Sequence, residues 1–276
     1  MEVKSLIDID FSMLMECFLK AFKGYFVKMP TDHEYYKERW RMANVKLAMS
    51  YGMFKNEKLV GFIINAIGER NGNWIAFNTG TGVLPEYRGQ HIVSSIYQYA
   101  IPDLKKHGIT KCRLEVIKDN AIAIKVYERI GFKITKNYKC YNGNITLKEA
   151  FTDFELKKVD NSYYDWNTLN QENYSWDNQF NTVEKGSYNY YVIYVNGKMD
   201  SYFIINPNNG YLAQFNTLNN SLDIDSWNVL FNGIKLVSDT IKINNVDERL
   251  IGKIHFLNKI GLQNTVDQYE MEFDIY

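Results

Sequence analysis

The chain has little cysteine, no excess of charge and no long apolar run. Cys17, Cys112 and Cys140 stand far apart among 276 residues. Their spacing matches no zinc-ligand set, and an odd number does not make a disulfide framework, so free thiols and no metal are expected. Lys plus Arg and Asp plus Glu number 32 each, so the basic excess of a general nucleic-acid binder is missing. No stretch approaches the roughly 18 uncharged apolar residues that span a bilayer. The opening MEVKSLIDID lacks the apolar run of a secretory leader. These shortages predict a cytoplasmic protein with neither nucleic acid nor membrane as partner. What is present is an ordinary globular balance, 46% hydrophobic and 23% charged. The length suits one large or two ordinary domains.

The first half alternates helix and strand signals. Phe11, Leu14, Met15, Phe18, Leu19 and Phe22 recur at helical spacing and predict an amphipathic helix from Asp10 towards Phe26. Asp32 reads as the N-cap of a second helix reaching Asn44. Runs from Ala48 to Phe54, Leu59 to Ile67 and Trp74 to Thr79 read as antiparallel strands, with turns at Asn56-Glu57-Lys58 and Asn71-Gly72-Asn73. A strand from Lys111 to Ile117 and a helix from Ala121 to Ile130 follow. An α/β mixture is expected, not a doubly wound sheet.

One stretch, NTGTGVLPEYRGQHIVSSIYQYAIPDLKK, organises the rest. A Gly- and Thr-rich strand end runs through Val83 and Leu84 into the basic turn Arg88-Gly89-Gln90, then into a helix with Ile92, Ile96, Ala100 and Leu104 on one face. The first turn of a helix carries about four N–H groups with no intrahelical partner and a partial positive charge. A phosphate fits such a place, and Arg88 would add a full charge.

Val83-x-Pro85-x-x-Arg88-Gly89 resembles the acyl-CoA-binding motif of the GCN5-related N-acetyltransferase (GNAT) family. Further on, LEVIKDNAIAIKVYERIGFKI resembles the family's next motif: a strand, Asn120 at the loop, then a helix with Tyr127-Glu128-x-x-Gly131-Phe132. The resemblance implies a mixed α/β sheet of the acyl-CoA N-acyltransferase fold, with acetyl-CoA as cosubstrate and no metal. It implies a cofactor site of Val83, Leu84, Arg88, Gly89, Gln90, His91, Ile92, Val93 and Asn120. Tyr127 would be the acid that protonates the departing thiolate. The family's later small residues are replaced by His91 and Val93, whose side chains must turn away from the phosphates. Asn120 also reads as a helix cap. Tyr127 lies one position off the stripe Ile122, Val126, Ile130, so its ring is expected to flank the buried face.

The second half echoes the first at an offset of about 130–140 residues. Phe77-Asn78-Thr79 recurs as Phe215-Asn216-Thr217, and Ile130-Gly131-Phe132 as Ile260-Gly261-Leu262. The copies differ where chemistry would need them alike. LNNSLDIDSWN follows Thr217 without a basic turn, and Leu257 stands where Tyr127 stands in the first copy. Two tandem GNAT-like domains are expected, residues 1–148 catalytic and 149–276 degenerate. The second would bind no CoA and would help to wall the acceptor cleft.

The resemblance implies acetyl transfer to a primary amine by direct attack, with an N–H near Val83 polarising the carbonyl. The acceptor, a small molecule or a peptide, and the general base stay open. The strand from Trp74 to Thr79 has no carboxylate, leaving Glu115, Glu34 or a water relay. A non-catalytic acyl-CoA-binding or regulatory protein, and a partner protein that has lost the ligand, are the rival readings. Monomer and homodimer are equally compatible with the sequence.

Overall fold

The computed structural model describes residues 1–148, 151–166, 168–218 and 224–275. It divides into two compact units. One takes residues 1–135 together with the chain from Tyr269 on; the other takes Lys136–Gln268. A single cut at residue 148, beside two residues outside the described ones, does not divide the chain this way. Residues 136–148 group with the second unit and the chain from Tyr269 on with the first.

The first unit runs β1 (Glu2–Ser5), α1 (Phe11–Ala21), α2 (His33–Ala43), β2 (Tyr51–Lys55), β3 (Lys58–Arg70), β4 (Asn73–Val83), α3 (Ile92–Lys106), β5 (Lys111–Ile117) and α4 (Ala121–Ile130). Next come β6 (Lys133–Asn144), β7 (Glu155–Val159), α5 (Phe180–Val183), β8 (Asn189–Val195), β9 (Lys198–Asn206), β10 (Tyr211–Thr217), α6 (Ile224–Lys235), β11 (Thr240–Asp247), α7 (Ile251–Lys259) and β12 (Gln263–Asp274). In the first unit β1 to β4 pair antiparallel in sequence order. Then α3 crosses over so that β5 lies parallel to β4. The second unit repeats the plan, with β7 to β10 antiparallel and β11 parallel to β10. β12 lies beside β5, and β6 pairs antiparallel with β11. Glu272 anchors β12 by accepting from Lys111 Nζ at 2.8 Å and Arg113 Nε at 2.7 Å.

The helices start where the sequence supplies caps. Asp10 accepts from the Met13 amide at 3.0 Å and Asp32 from the Glu34 amide at 2.9 Å, satisfying donors that the first turn leaves open. Asn44 ends α2 in the left-handed conformation. α1 ends at Ala21, short of Phe26. Its Leu14, Met15 and Phe18 are buried, and the Phe18 ring packs against Tyr36, Trp40 and Phe62 at 4.8–5.8 Å. Each such ring contributes about 1.5–3 kcal/mol by leaving water. This packing explains the glycines of β4. A Cβ on Gly82 would stand 2.6 Å from Phe62 Cζ and 2.8 Å from Ala21 Cβ, so α1 could not lie where it does.

A bulge shapes the end of β4. Asn78 pairs with Asn65, but Gly80 pairs with Ile64, so Thr79 is an extra residue. Such an insertion bends a strand and raises its twist. The parallel register of β4 with β5 runs from Ile75↔Lys111 to Asn78↔Leu114 and stops at the bulge. Beyond it the two strands are no longer paired. No helix among the described residues is long and apolar enough to cross a membrane.

Candidate active site

The turn from Val83 to Val93 joins the end of β4 to α3. Pro85–Tyr87 forms a short 3-10 turn. Gly89 follows with φ +76° and nothing within 4 Å of a Cβ placed on it. His91 takes φ 57° and starts α3 without a side-chain cap. Left-handed backbone disfavours a residue with a Cβ, so the turn is held by its surroundings. Ile92 is buried and Val93 packs against the first unit's core, while His91 is exposed. Val93 therefore faces inward, and no side chain caps the first-turn amides of α3. An uncapped turn with an open approach suits an anion.

Three residues of the turn are engaged within the fold. Arg88 donates from Nη2 to the Ala21 carbonyl at 2.8 Å and from Nε to the Val83 carbonyl at 3.3 Å. It ties the end of α1 to the end of β4, whereas the sequence suggested a side chain offered to phosphate. Leu84 is buried and its amide donates to Val60 O at 2.9 Å. Gln90 reaches back to Glu86 O at 3.3 Å.

Asn120 caps α4 through its Oδ1, which accepts from the Ala123 amide at 3.2 Å. Tyr127 is the buried residue of α4, and Ile122, expected on the buried stripe, is 81% exposed. The helix is rotated so that the tyrosine points inward, with Ala123, Ile124 and Ile130 packed beside it. Burial pushes the Tyr127 phenol up to about 12, opposed by a hydrogen bond from Thr81. At neutral pH it is therefore a protonated acid.

Sequence reasoning missed the polar cluster around this phenol. Asn78 Nδ2 donates to Thr81 Oγ1 at 2.6 Å and to the Tyr97 hydroxyl at 2.7 Å. Its Oδ1 accepts from the Gly80 amide at 3.0 Å. Tyr97 is fully enclosed, and burial holds its phenol far above the usual value. The Thr79 hydroxyl is buried without a partner at the bulge. The Thr- and Asn-rich end of β4 was the available signal. Glu34, a candidate base, is exposed and paired with Lys37 at 2.7 Å. Glu115 is half-buried on β5. Among the described residues no three His, Cys, Asp or Glu side chains gather as a metal site.

The second unit treats the equivalent place differently. β10 and β11 pair at Tyr211↔Lys242, and the unit's own chain fills the gap beyond. Asn178 donates to Asn244 O at 2.9 Å and accepts through its carbonyl from Gln214 at 2.6 Å. Tyr174 donates to Phe215 O at 3.2 Å. From α7, Lys253 Nζ donates to the same carbonyl at 2.7 Å and lies over the rings of Phe215, Tyr174 and Trp227 at 4.3–6.0 Å. Burial lowers its amine to about 7. Leu257, at the position of Tyr127, is buried core. The counterpart of the basic turn falls on residues 219–223, outside the described residues.

Comparison with known proteins agrees with this geometry. Residues 12–132 match the sequence model of the acetyltransferase (GNAT) family. A curated relative, N-alpha-acetyltransferase 30 of Schizosaccharomyces pombe, is 24% identical over 132 residues, 41% of this chain and 88% of that protein. The [ribosomal protein bS18]-alanine N-acetyltransferase of Escherichia coli is 30% identical over 93 residues, 33% of this chain and 60% of that enzyme. Among solved structures, a tandem GNAT protein from the clavulanic acid biosynthesis pathway superposes with TM-score 0.70 at 12% identity, covering 100% of this chain and 99% of its own. A putative acetyltransferase from Pyrococcus horikoshii gives TM-score 0.67 at 12% identity, covering 99% and 89%. Over its first half the chain is similar to the GNAT acetyltransferase family. As a whole it has the acyl-CoA N-acyltransferase fold in tandem form.

Proposed function

We propose that the chain is an acetyl-CoA-dependent N-acetyltransferase whose single catalytic site lies in the first unit, and that its acceptor is a primary amine on a peptide or small molecule. The observation that carries this reading is the uncapped first turn of α3, which follows β4 past the end of its pairing with β5, with Tyr127 buried in the same unit. The residues present fit the cosubstrate. The amides from His91 to Val93 would take the diphosphate, with open space at Gly89. The free edge of β4 beyond the bulge would take the pantetheine arm, and Asn120 stands beside it.

When bound, the thioester supplies an acetyl carbonyl with a thiolate leaving group. The chain's own part is to hold both reactants in line, which supplies much of the rate, and to keep a proton at the Tyr127 oxygen. A phenol at about 12 is fully protonated at pH 7 and donates to a thiolate in the course of transfer. The amine attacks directly, so no covalent enzyme intermediate is required. The named relatives act on α-amino groups, which supports a peptide N-terminus as one acceptor class.

Thiol release from acetyl-CoA against a panel of amines tests the reading. Release that depends on one amine class, and is lost in Tyr127→Phe, supports it. Saturable CoA binding without release supports a non-catalytic acyl-CoA-binding protein. The engagement of Arg88 with the Ala21 and Val83 carbonyls and the lack of a carboxylate on β4 favour that second reading.

A further inference from the structure

The second unit holds one amine out of water. Lys253 of α7 is buried, and its Nζ donates to the Phe215 carbonyl on β10 at 2.7 Å. The same carbonyl accepts from the Tyr174 hydroxyl at 3.2 Å, which also meets the Tyr202 hydroxyl at 3.0 Å. The amine stands 4.3 Å from the centre of the Phe215 ring, 5.3 Å from that of Tyr174 and 6.0 Å from that of Trp227 on α6. One side chain thus joins α7 to β10, to α6 and to the stretch around Tyr174, which lies between the short 3-10 turns Gln171–Asn173 and Trp176–Asn178. Beside it is a cavity of about 10 Å³, lined among others by Tyr174, Asn178, Asn245 and Leu250, with room for a single water.

The bonding suits a neutral amine. An ammonium has three hydrogens to place, and among the described residues one acceptor, the Phe215 carbonyl, meets it. The rings attract a cation, but they replace only part of the hydration that a buried charge loses. Burial alone lowers the amine to about 7. The groups on the surrounding elements do not answer it. Burial pushes the Tyr174 phenol up to about 12 and the Tyr202 phenol far above its usual value, so both stay neutral. Asp247, at the end of β11, accepts from the Arg249 amide and Nε, each at 3.0 Å. Asp177, in the second short turn, is engaged within the fold. Glu172, Asp225, His255 and Lys259 are exposed, and His255, two positions along α7, does not share the face of Lys253.

We propose that Lys253 is a proton-operated latch: uncharged, its amine ties α7 and the Tyr174 stretch to β10, and with a proton added it leaves the cage and lets both part from the strand. In the cage the amine takes a proton below about 7, whereas a released lysine takes one up to about 10.4. Between those values opening takes up a proton. The open fraction therefore rises about 10-fold for each pH unit downward and levels out below about 7.

The test is limited subtilisin cleavage of the full chain between about pH 7 and 9.5, with rates scaled to a reference peptide at each pH and cut sites mapped by mass spectrometry. Cleavage of a closed segment follows its open fraction when reclosing is fast. Wild type should be cut within Gln171–Asn178 and Ile251–Lys259 about 10-fold faster for each pH unit downward. Lys253→Met keeps the stem without the charge and should be cut slowly, with no pH dependence. His255→Gln should keep the wild-type slope. NMR of the lysine ε-carbons should show one lysine, absent in Lys253→Met, that titrates well below the rest. The inference is overturned if the wild-type rate is flat with pH, if Lys253→Met keeps the slope, if His255→Gln loses it, or if Lys253 titrates with the surface lysines. Cuts spread evenly over the unit would also overturn it, since the whole unit would then be opening. If Lys253→Met does not fold, the slope, the cut sites and the titration of the wild type decide.

Discussion

In the first unit β4 and β5 part after Asn78. Past that point β4 carries an unpartnered Thr79 hydroxyl and leads to a helix start whose N-cap makes no side-chain bond. In the second unit β10 and β11 part after Tyr211. The corresponding place there is packed with Tyr174, Asn178 and Lys253. One plan thus continues differently in the two copies, into a turn and helix start in the first and under Tyr174, Asn178 and Lys253 in the second. The filling supplies the polar partners that a ligand would otherwise supply: the Phe215 carbonyl has Lys253 and Tyr174, and the Asn244 carbonyl has Asn178. A buried polar group without such partners costs about 1–3 kcal/mol. A copy that gives up its ligand is therefore more stable once its own side chains close the gap.

The largest expected contrast comes from the acid. Tyr127→Phe should lower kcat by about 10²–10³-fold with KM for acetyl-CoA nearly unchanged, measured at saturating amine. Leu257→Ala in the second copy should act on stability instead. A buried Leu→Ala change costs roughly 2–5 kcal/mol, with kcat per folded molecule unaltered.

Lys253 offers the next contrast. Its amine is lowered by burial to about 7, while an unfolded chain binds that proton up to about 10.4. Between those values the unfolded state holds more protons, so stability rises with pH and the gain is lost as pH falls through about 7. Tyr174, the titratable group in the cage, is pushed by burial up to about 12 and stays neutral across this window. Lys253→Met should abolish the rise, a difference of roughly 2–4 kcal/mol between pH 7 and 10, read from denaturant unfolding at both pH values. Equal slopes in wild type and variant would show that the amine is not enclosed.

The anion site gives a smaller effect. Gln90→Glu places a carboxylate on an exposed turn beside the α3 amides. It should raise KM for acetyl-CoA about 3–10-fold at low salt and less at high salt, because exposed charges are screened. Smallest is Arg88→Met. Loss of the bonds to Ala21 O and Val83 O should cost about 1 kcal/mol, seen as a lower unfolding midpoint.

Much of this was legible in the residues. Asp10 and Asp32 announce their helices, and the Asn-containing turns announce their hairpins. Arg88-Gly89 and Tyr127 stand out by resemblance to the family's motifs. Other features depend on distant partners. Asn78, Thr81 and Tyr97 form one cluster only because α3 returns over the end of β4. Ile122 and Tyr127 compete for the inward side of α4, and the aromatic contacts to Tyr97 and Phe132 decide for the tyrosine. The pairing of β12 with the first unit is set by Lys111 and Arg113 meeting Glu272, a choice that spacing along the chain does not reveal.

A CoA titration followed at the backbone amides by NMR tests the central claim most directly. The account predicts that the amides of Ile92, Val93 and Ser94 shift in a saturable way, with one CoA per chain and no comparable change at Leu250 to Ile254. Shifts confined to α7 and β10, or no shift at the start of α3, would contradict it.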